Sequence, residues 1–163
     1  MKTRYRFATS LPLLALSSSV VVNDDGSLDT TFGDGDKVTT AFGPWTDRVF
    51  ALSLQPDGKI VAGGDSDSGE SSGTAFALAR YNRDGSLDTD FGTGGKVRTD
   101  LPAGLGGTLH GLGIQRDGTI VAVGTVHLES DWGSIFELAR YDPTGCCSPG
   151  LSQRTRSRVL DRE

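Results

Sequence analysis

The sequence repeats itself with a period of about 60 residues, and this period constrains the fold more than any other feature. DGSLDTTFG at Asp25 to Gly33 returns as DGSLDTDFG at Asp84 to Gly92. LQPDGKIVAGG, beginning at Leu54, returns as IQRDGTIVAVG. Separate blocks that share one period are not a chance similarity, so the chain has to be divided by its repeats.

Each repeat predicts four β-strands. Large residues at positions 50, 52 and 54 alternate with small ones, which is the period of a strand. Pro56-Asp57-Gly58 then turns the chain into an apolar run that suits a buried strand. The predicted strands are 37–42, 49–55, 59–63 and 76–81, and in the second copy 96–101, 109–115, 119–124 and 135–141.

The 23 glycines among 163 residues agree with an all-β protein rich in tight turns. Four antiparallel strands per repeat are typical of a β-propeller blade. We therefore expect a partial β-propeller of about two four-stranded antiparallel blades, plus a leading fragment of a third. Residues 20–36 would be the trailing part of an incomplete repeat, residues 37–95 the first blade, residues 96–145 the second, truncated at its exit loop, and residues 146–163 a disordered non-repeat tail.

The first 19 residues are predicted to be a signal peptide. Lys2, Arg4 and Arg6 precede an apolar stretch that is followed by small residues, which is the layout of a secretory leader. The alternative is a buried first strand, which Pro12 disfavours. The leader predicts an exported protein located in the periplasm, at the cell surface or outside the cell.

From Val20 to Gly145 the chain resembles the delta-60 repeat family of bacterial exported and surface proteins. LQPDGKIVAGG and FALARYNRDGSLDTDFGTGGKV carry the resemblance. It implies tandem propeller-like blades, usually more than here, with no assigned catalytic activity and no functional residues to transfer. From Cys146 to Ser152 every residue differs from its counterpart one repeat earlier. A truncated or frame-shifted end, a fragment, and a native disordered tail all fit this loss of pattern.

Charge and hydropathy limit the partners. The net charge is −5, and the basic residues of both ends hide a more acidic middle, which disfavours nucleic-acid binding. No stretch reaches the roughly 20 apolar residues of a membrane span. Two blades would leave two apolar faces and open strand edges exposed, so we expect self-assembly or further blades. A protein or a glycan is the expected ligand class.

Two arginines recur on a strand face that is otherwise made of Phe and Leu, and a guanidinium there needs an oxygen partner. We hypothesise that the repeated aspartate of SLDT binds such an arginine within or between blades and fixes the loop that carries a core phenylalanine. Because Ser148 replaces the in-register aspartate of the second repeat, its arginine should have an atypical partner. The structural repeat positions are Arg80, Arg140, Asp29, Asp88, Phe32 and Phe91.

No catalytic residue is predicted. GESSG, residues 69–73, matches the nucleophile-elbow pattern with Ser71 as nucleophile, but it precedes a strand instead of a helix. The available bases are His110 and His127, each of which suits a surface or loop position. A serine hydrolase is therefore only an alternative to a non-enzymatic scaffold.

No cofactor or metal site is predicted either. The acidic pairs Asp24-Asp25, Asp34/Asp36 and Asp65/Asp67 suggest calcium, but none completes an EF-hand loop and turn chemistry accounts for them. The adjacent cysteines 146 and 147 support neither a disulfide framework nor a zinc site.

Two tryptophans, Trp45 and Trp132, do not recur between repeats, so they are candidates for stacking on a sugar or for burial against the next blade. The function predicted is a non-enzymatic exported repeat scaffold that binds a partner and is a fragment of a larger propeller. The alternatives are a calcium-stabilised or carbohydrate-binding propeller and the hydrolase.

Overall fold

The computed structural model describes residues 25–67, 69, 73–101, 106–127 and 133–146, and all regular structure among them is β. The seven strands are β1 (Asp47–Leu54), β2 (Ile60–Asp67), β3 (Thr74–Tyr81), β4 (Lys96–Thr99), β5 (Gly107–Ile114), β6 (Ile120–His127) and β7 (Ser134–Tyr141). No helix in this part of the chain could cross a membrane. The predicted leader and the predicted tail beyond Cys146 lie outside the described residues.

The strands form two antiparallel sheets, β1-β2-β3-β4 and β5-β6-β7, in which chain neighbours pair. The hairpins β1-β2 and β5-β6 close on the turns Pro56-Asp57-Gly58 and Arg116-Asp117-Gly118. In each turn the aspartate carboxylate accepts a hydrogen bond from the backbone N–H two residues later. Each first strand also shifts register at one position, between Val49 and Ala51 and between Leu109 and Gly111. The two repeats therefore fold alike.

The two sheets pack face to face, with the core between them. Phe76 and Leu78 lie on one face of the first sheet and are 0% exposed, as is Leu109 on the facing side of the second. Gly63 and Gly124 keep this contact close, since a Cβ at either would lie within 3.0 Å of a side chain from the opposite sheet. Two stacked four- and three-stranded antiparallel sheets with a shared core are the arrangement of a partial β-propeller.

The partition of the strands between blades differs from the prediction. Lys96–Thr99 does not open the second blade: it pairs with β3 and closes the first sheet. Residues 37–42 are not a strand; they make only the isolated bridge Asp34↔Lys37, because no described strand lies beside them. The first sheet therefore takes its fourth strand from the next sequence repeat, whereas the second sheet has three strands among the described residues.

The strand β2 is also longer than predicted. Its polar end, Asp65 to Asp67, resembles a loop in sequence, yet each residue pairs with a residue of β3. The carboxylate of Asp65 is accommodated because Arg48 lies opposite it on β1 and contributes a guanidinium 3.7 Å away.

Candidate functional site

A buried cluster holds the first sheet, the following loop and the second sheet together. Arg80 Nε donates to Asp88 Oδ2 at 2.6 Å, and Lys59 Nζ donates to the same oxygen at 2.7 Å. The guanidinium carbon lies 4.5 Å from the centroid of the Phe91 ring, a cation–π distance. Arg80 is 6% exposed and Asp88 4%. We call these four residues, with the Pro143 carbonyl, the Arg80 cluster.

Local backbone structure brings Asp88 to Arg80. After the exit turn of β3, the chain doubles back and the Asp88 N–H donates to the Arg80 carbonyl at 2.9 Å. Asp88 Oδ1 accepts a hydrogen bond from the Asp90 N–H at 3.3 Å, and the backbone carbonyl of Asp88 accepts one from the Phe91 N–H at 3.0 Å. One carboxylate therefore caps its own turn with one oxygen and binds two cations with the other.

The Arg80 cluster also reaches the second sheet. Arg80 Nη1 donates to the Pro143 carbonyl, and the Gly92 N–H donates to the Thr144 carbonyl at 2.7 Å. Gly145 has a φ of 85°, and a Cβ there would lie 2.8 Å from Phe91. The exit turn of β7 therefore packs on the loop after β3, and only glycine fits at the contact.

Electrostatics keep Asp88 ionised. Burial acts to raise its pKa, but the hydrogen bonds from Lys59 and Arg80 and the Arg80 charge outweigh burial and hold the pKa below 3.8. The Asp88 side chain in the cluster is therefore a carboxylate at neutral pH.

The corresponding residues of the other repeats remain apart. The Arg140 side chain is 41% exposed and lies 4.0 Å from Asp117, a solvent-exposed pair. Asp29 accepts hydrogen bonds from the N–H and Oγ1 of Thr31, and Phe32 is only partly buried. The structure thus brings together three of the six predicted repeat positions, Arg80, Asp88 and Phe91.

Sequence reasoning missed two members of the cluster. Lys59 is replaced by Thr119 in the second repeat, where Ser148 also replaces the aspartate. This joint replacement is the signal by which Lys59 could have been found. The Pro143 contact is made by a backbone carbonyl, for which side-chain identity carries no signal.

The first connector (residues 25–40) and the second connector (residues 84–99) make equivalent contacts, although only the second ends in a strand. Gly33 N–H donates to the Asp84 carbonyl at 2.7 Å, as Gly92 does to Thr144. Tyr81 Oη bonds Thr40 Oγ1 at 2.8 Å, and the equivalent pair one repeat later is 2.7 Å apart. The first connector therefore sits on the first sheet as the second connector sits on the second.

Asp65 is the other buried carboxyl, 3% exposed on β2. Burial raises its pKa, and Arg48 at 3.7 Å only partly opposes this effect. Asp65 is not part of a group of metal-binding side chains, since the described residues contain no cluster of three acidic, cysteine or histidine side chains that could hold a metal ion.

The other predicted chemical groups are dispersed. Ser71, Trp132 and Cys147 lie outside the described residues, and Cys146 is exposed. His110 is exposed and shares a hydrogen bond with Thr125 Oγ1 at 3.0 Å, and His127 is also exposed.

One end of the two sheets carries the segments that differ most between repeats. We call it the variable end; among the described residues it contains 43–46, 67, 69 and 73, and 106, 127 and 133 in the second repeat. Trp45 is 57% exposed there, and its indole packs directly on the backbone of Gly69. The Asp67 N–H donates to the Thr46 carbonyl, and His127 bonds Gly106 in the same way. The exposed Trp45 ring is therefore held against the Gly69 backbone, beside the hydrogen bond between Asp67 and Thr46.

Residues 55–91 match the model of a family described as "Domain of unknown function (DUF5122) beta-propeller". The matched segment spans β2, β3 and the second connector as far as Phe91, and so includes four members of the Arg80 cluster. No curated protein and no solved structure matches the chain. The match supports a propeller-like repeat family, in agreement with the two stacked sheets.

Proposed function

We propose that the chain is an exported, non-enzymatic repeat scaffold of the delta-60 type, part of a larger propeller that binds a protein or glycan at the variable end. The observation that supports this function best is that recurring residues are buried between the sheets, whereas a residue that does not recur is exposed. Arg80, Asp88 and Phe91 are buried and fully engaged in joining the sheets, whereas Trp45 is exposed on a segment that the next repeat does not conserve.

A carbohydrate is the ligand class that Trp45 favours. A half-exposed indole held on the Gly69 backbone presents a flat apolar surface that suits stacking on a sugar ring. Glycan-array binding by the intact chain is the direct test. Trp45→Ala should abolish the signal, whereas Phe50→Ala, which removes another exposed aromatic from β1, should leave it intact. A signal lost equally in both variants, or in neither, would contradict recognition through Trp45.

The non-enzymatic part of the proposal has its own test. A fluorophosphonate probe labels activated serine nucleophiles, and we expect no labelling of the chain at Ser71. Labelling that disappears in Ser71→Ala would establish the hydrolase instead. Calcium should leave the melting temperature unchanged, since the described acidic side chains form no metal-ligand cluster.

Export is tested through the leader. Fusing residues 1–24 to a reporter that is active only outside the cytoplasm should give activity, and sequencing the mature N-terminus should locate cleavage before residue 20. An inactive, uncleaved fusion would refute the export prediction.

A further inference from the structure

We propose that copies of this chain assemble head to tail, with the first connector of one copy completing the second sheet of the next. Asp29 would bind Arg140 of the neighbouring copy, reproducing in trans the Arg80–Asp88 pair. The inference deepens the proposed scaffold role. Glycan binding at the variable end can fail without affecting it.

The acceptor surface is the outer face of the second sheet. It carries Phe136, 67% exposed, Leu138, 46% exposed, and Arg140. Their repeat equivalents on the first sheet are Phe76, Leu78 and Arg80, which are 0%, 0% and 6% exposed because the second sheet covers them. The same side-chain types are therefore buried in one repeat and uncovered in the other.

The matching surface is the outer face of the first sheet. Val49, Leu52 and Leu54 are 67%, 43% and 40% exposed there. Their equivalents on the second sheet, Leu109, Leu112 and Ile114, pack in the core between the sheets. The interface inside one chain thus supplies the template for an interface between two, because each uncovered face is the repeat equivalent of a face that this interface buries.

The first connector carries what the second sheet lacks. In the sequence, the position eight residues before Asp29 is Val21, whereas the position eight residues before Asp88 is Arg80. Likewise, the position eight residues after Arg140 is Ser148 instead of an aspartate. Among the described residues no ion pair joins Asp29 to a cation, and Asp29 Oδ1 is held by Thr31 as Asp88 Oδ1 is held by Asp90. A carboxylate and a guanidinium that each lack the partner of the repeat are complementary between copies.

Backbone pairing points the same way. β4 pairs with β3 through Phe76↔Thr99 to Ala79↔Lys96. Residues 37–40 are the repeat equivalent of β4 but pair with no described strand, and no described strand pairs with β7 on the side away from β6. In trans, Lys37 to Thr40 would add to β7 as its fourth strand, opposite Ala139 to Phe136.

The test uses charge reversal in the full chain under reducing conditions, which exclude disulfides through the adjacent cysteines. Light scattering of the wild type should give a species of two to four chains, since four to eight blades close a propeller. Arg140→Asp and Asp29→Arg should each weaken association at least tenfold, as close charge pairs do. Circular dichroism should show both variants folded, because both side chains lie at the surface of one chain.

Recombining the charges distinguishes trans pairing from a loss of fold. The double variant, with Arg140→Asp and Asp29→Arg in one chain, places opposite charges at every interface whatever the ring size and should restore assembly. A mixture of the two single variants does the same where they alternate, as in a ring of two or four chains. Restoration supports the proposal. The proposal is overturned if the wild type stays monomeric at about 100 times the concentrations where such interfaces form. Single variants that assemble like the wild type, or a double variant that remains monomeric, would also overturn it.

Discussion

Replacing Asp88 by asparagine should destabilise the chain by about 3 kcal/mol. The change leaves Arg80, whose side chain is 7% exposed, and Lys59, 30% exposed, without the carboxylate they share. Removing one partner of a buried pair costs about 3–5 kcal/mol, since the remaining charge is left uncompensated. The lower end applies because asparagine keeps one acceptor and the lysine can turn towards solvent.

Urea unfolding followed by far-UV circular dichroism measures this loss. Asp84→Asn is the matched control, because Asp84 is exposed, caps Ser86 in a similar turn and contacts no cation among the described residues. We expect the control to unfold like the wild type. The double cycle with Arg80→Met should give a coupling energy of about 2 kcal/mol.

The pH dependence sharpens the test of Asp88. Because its folded pKa lies below 3.8, the stabilisation is complete above pH 3.8 and is lost as the pH falls through the folded value. The difference between wild type and Asp88→Asn should therefore be constant from about pH 5 to 8 and shrink in stronger acid. An equal loss in Asp88→Asn and Asp84→Asn, or a loss that persists undiminished in acid, would refute the ion-pair reasoning.

Three further predictions use matched positions and the same unfolding assay. In the Arg140→Asp background, which keeps the chain monomeric, Leu78→Ala in the core should cost about 3 kcal/mol, but its half-exposed repeat equivalent Leu138→Ala less than about 1, and equal losses there would argue against the assigned core. Gly92→Ala should cost at least about 2 kcal/mol, since a Cβ would lie 2.3 Å from a backbone carbonyl, whereas Gly94→Asn, also at positive φ but in open space, should cost less than about 1. Asp65→Asn should stabilise the chain at pH 7, and stabilise it less at pH 4. Because burial raises the pKa of folded Asp65, the stability of the wild type falls as the pH rises through that pKa. A variant that is less stable than the wild type at pH 7 would contradict the cost assigned to burial.

The repeat period predicted the all-β fold and the close approach of Arg80 and Asp88 because both depend on local pattern. A buried arginine among Phe76 and Leu78 demands an acceptor, and the recurring aspartate eight residues on is the nearest one that can return to it.

The strand partition was beyond the same reasoning, since strand pairing is a non-local property. Lys37–Thr40 and Lys96–Thr99 have almost the same sequence, yet only the second is a strand, because only the second has β3 beside it. The buried Asp65 was missed for a related reason: DSD is typical of a turn, and its place in β2 depends on Arg48 and β3.

The donation of β4 to the preceding sheet has a consequence for how such genes can change in length. Because Lys96–Thr99 belongs to one sequence repeat and pairs with the strand of another, the junction between the two described repeats is bridged by hydrogen-bonded backbone. Deleting one whole unit of about 60 residues removes one donated strand and one accepting strand together, and inserting a unit adds one of each, so the new neighbours remain compatible. Recombination in multiples of the period can therefore alter the number of blades while every remaining junction keeps its pairing.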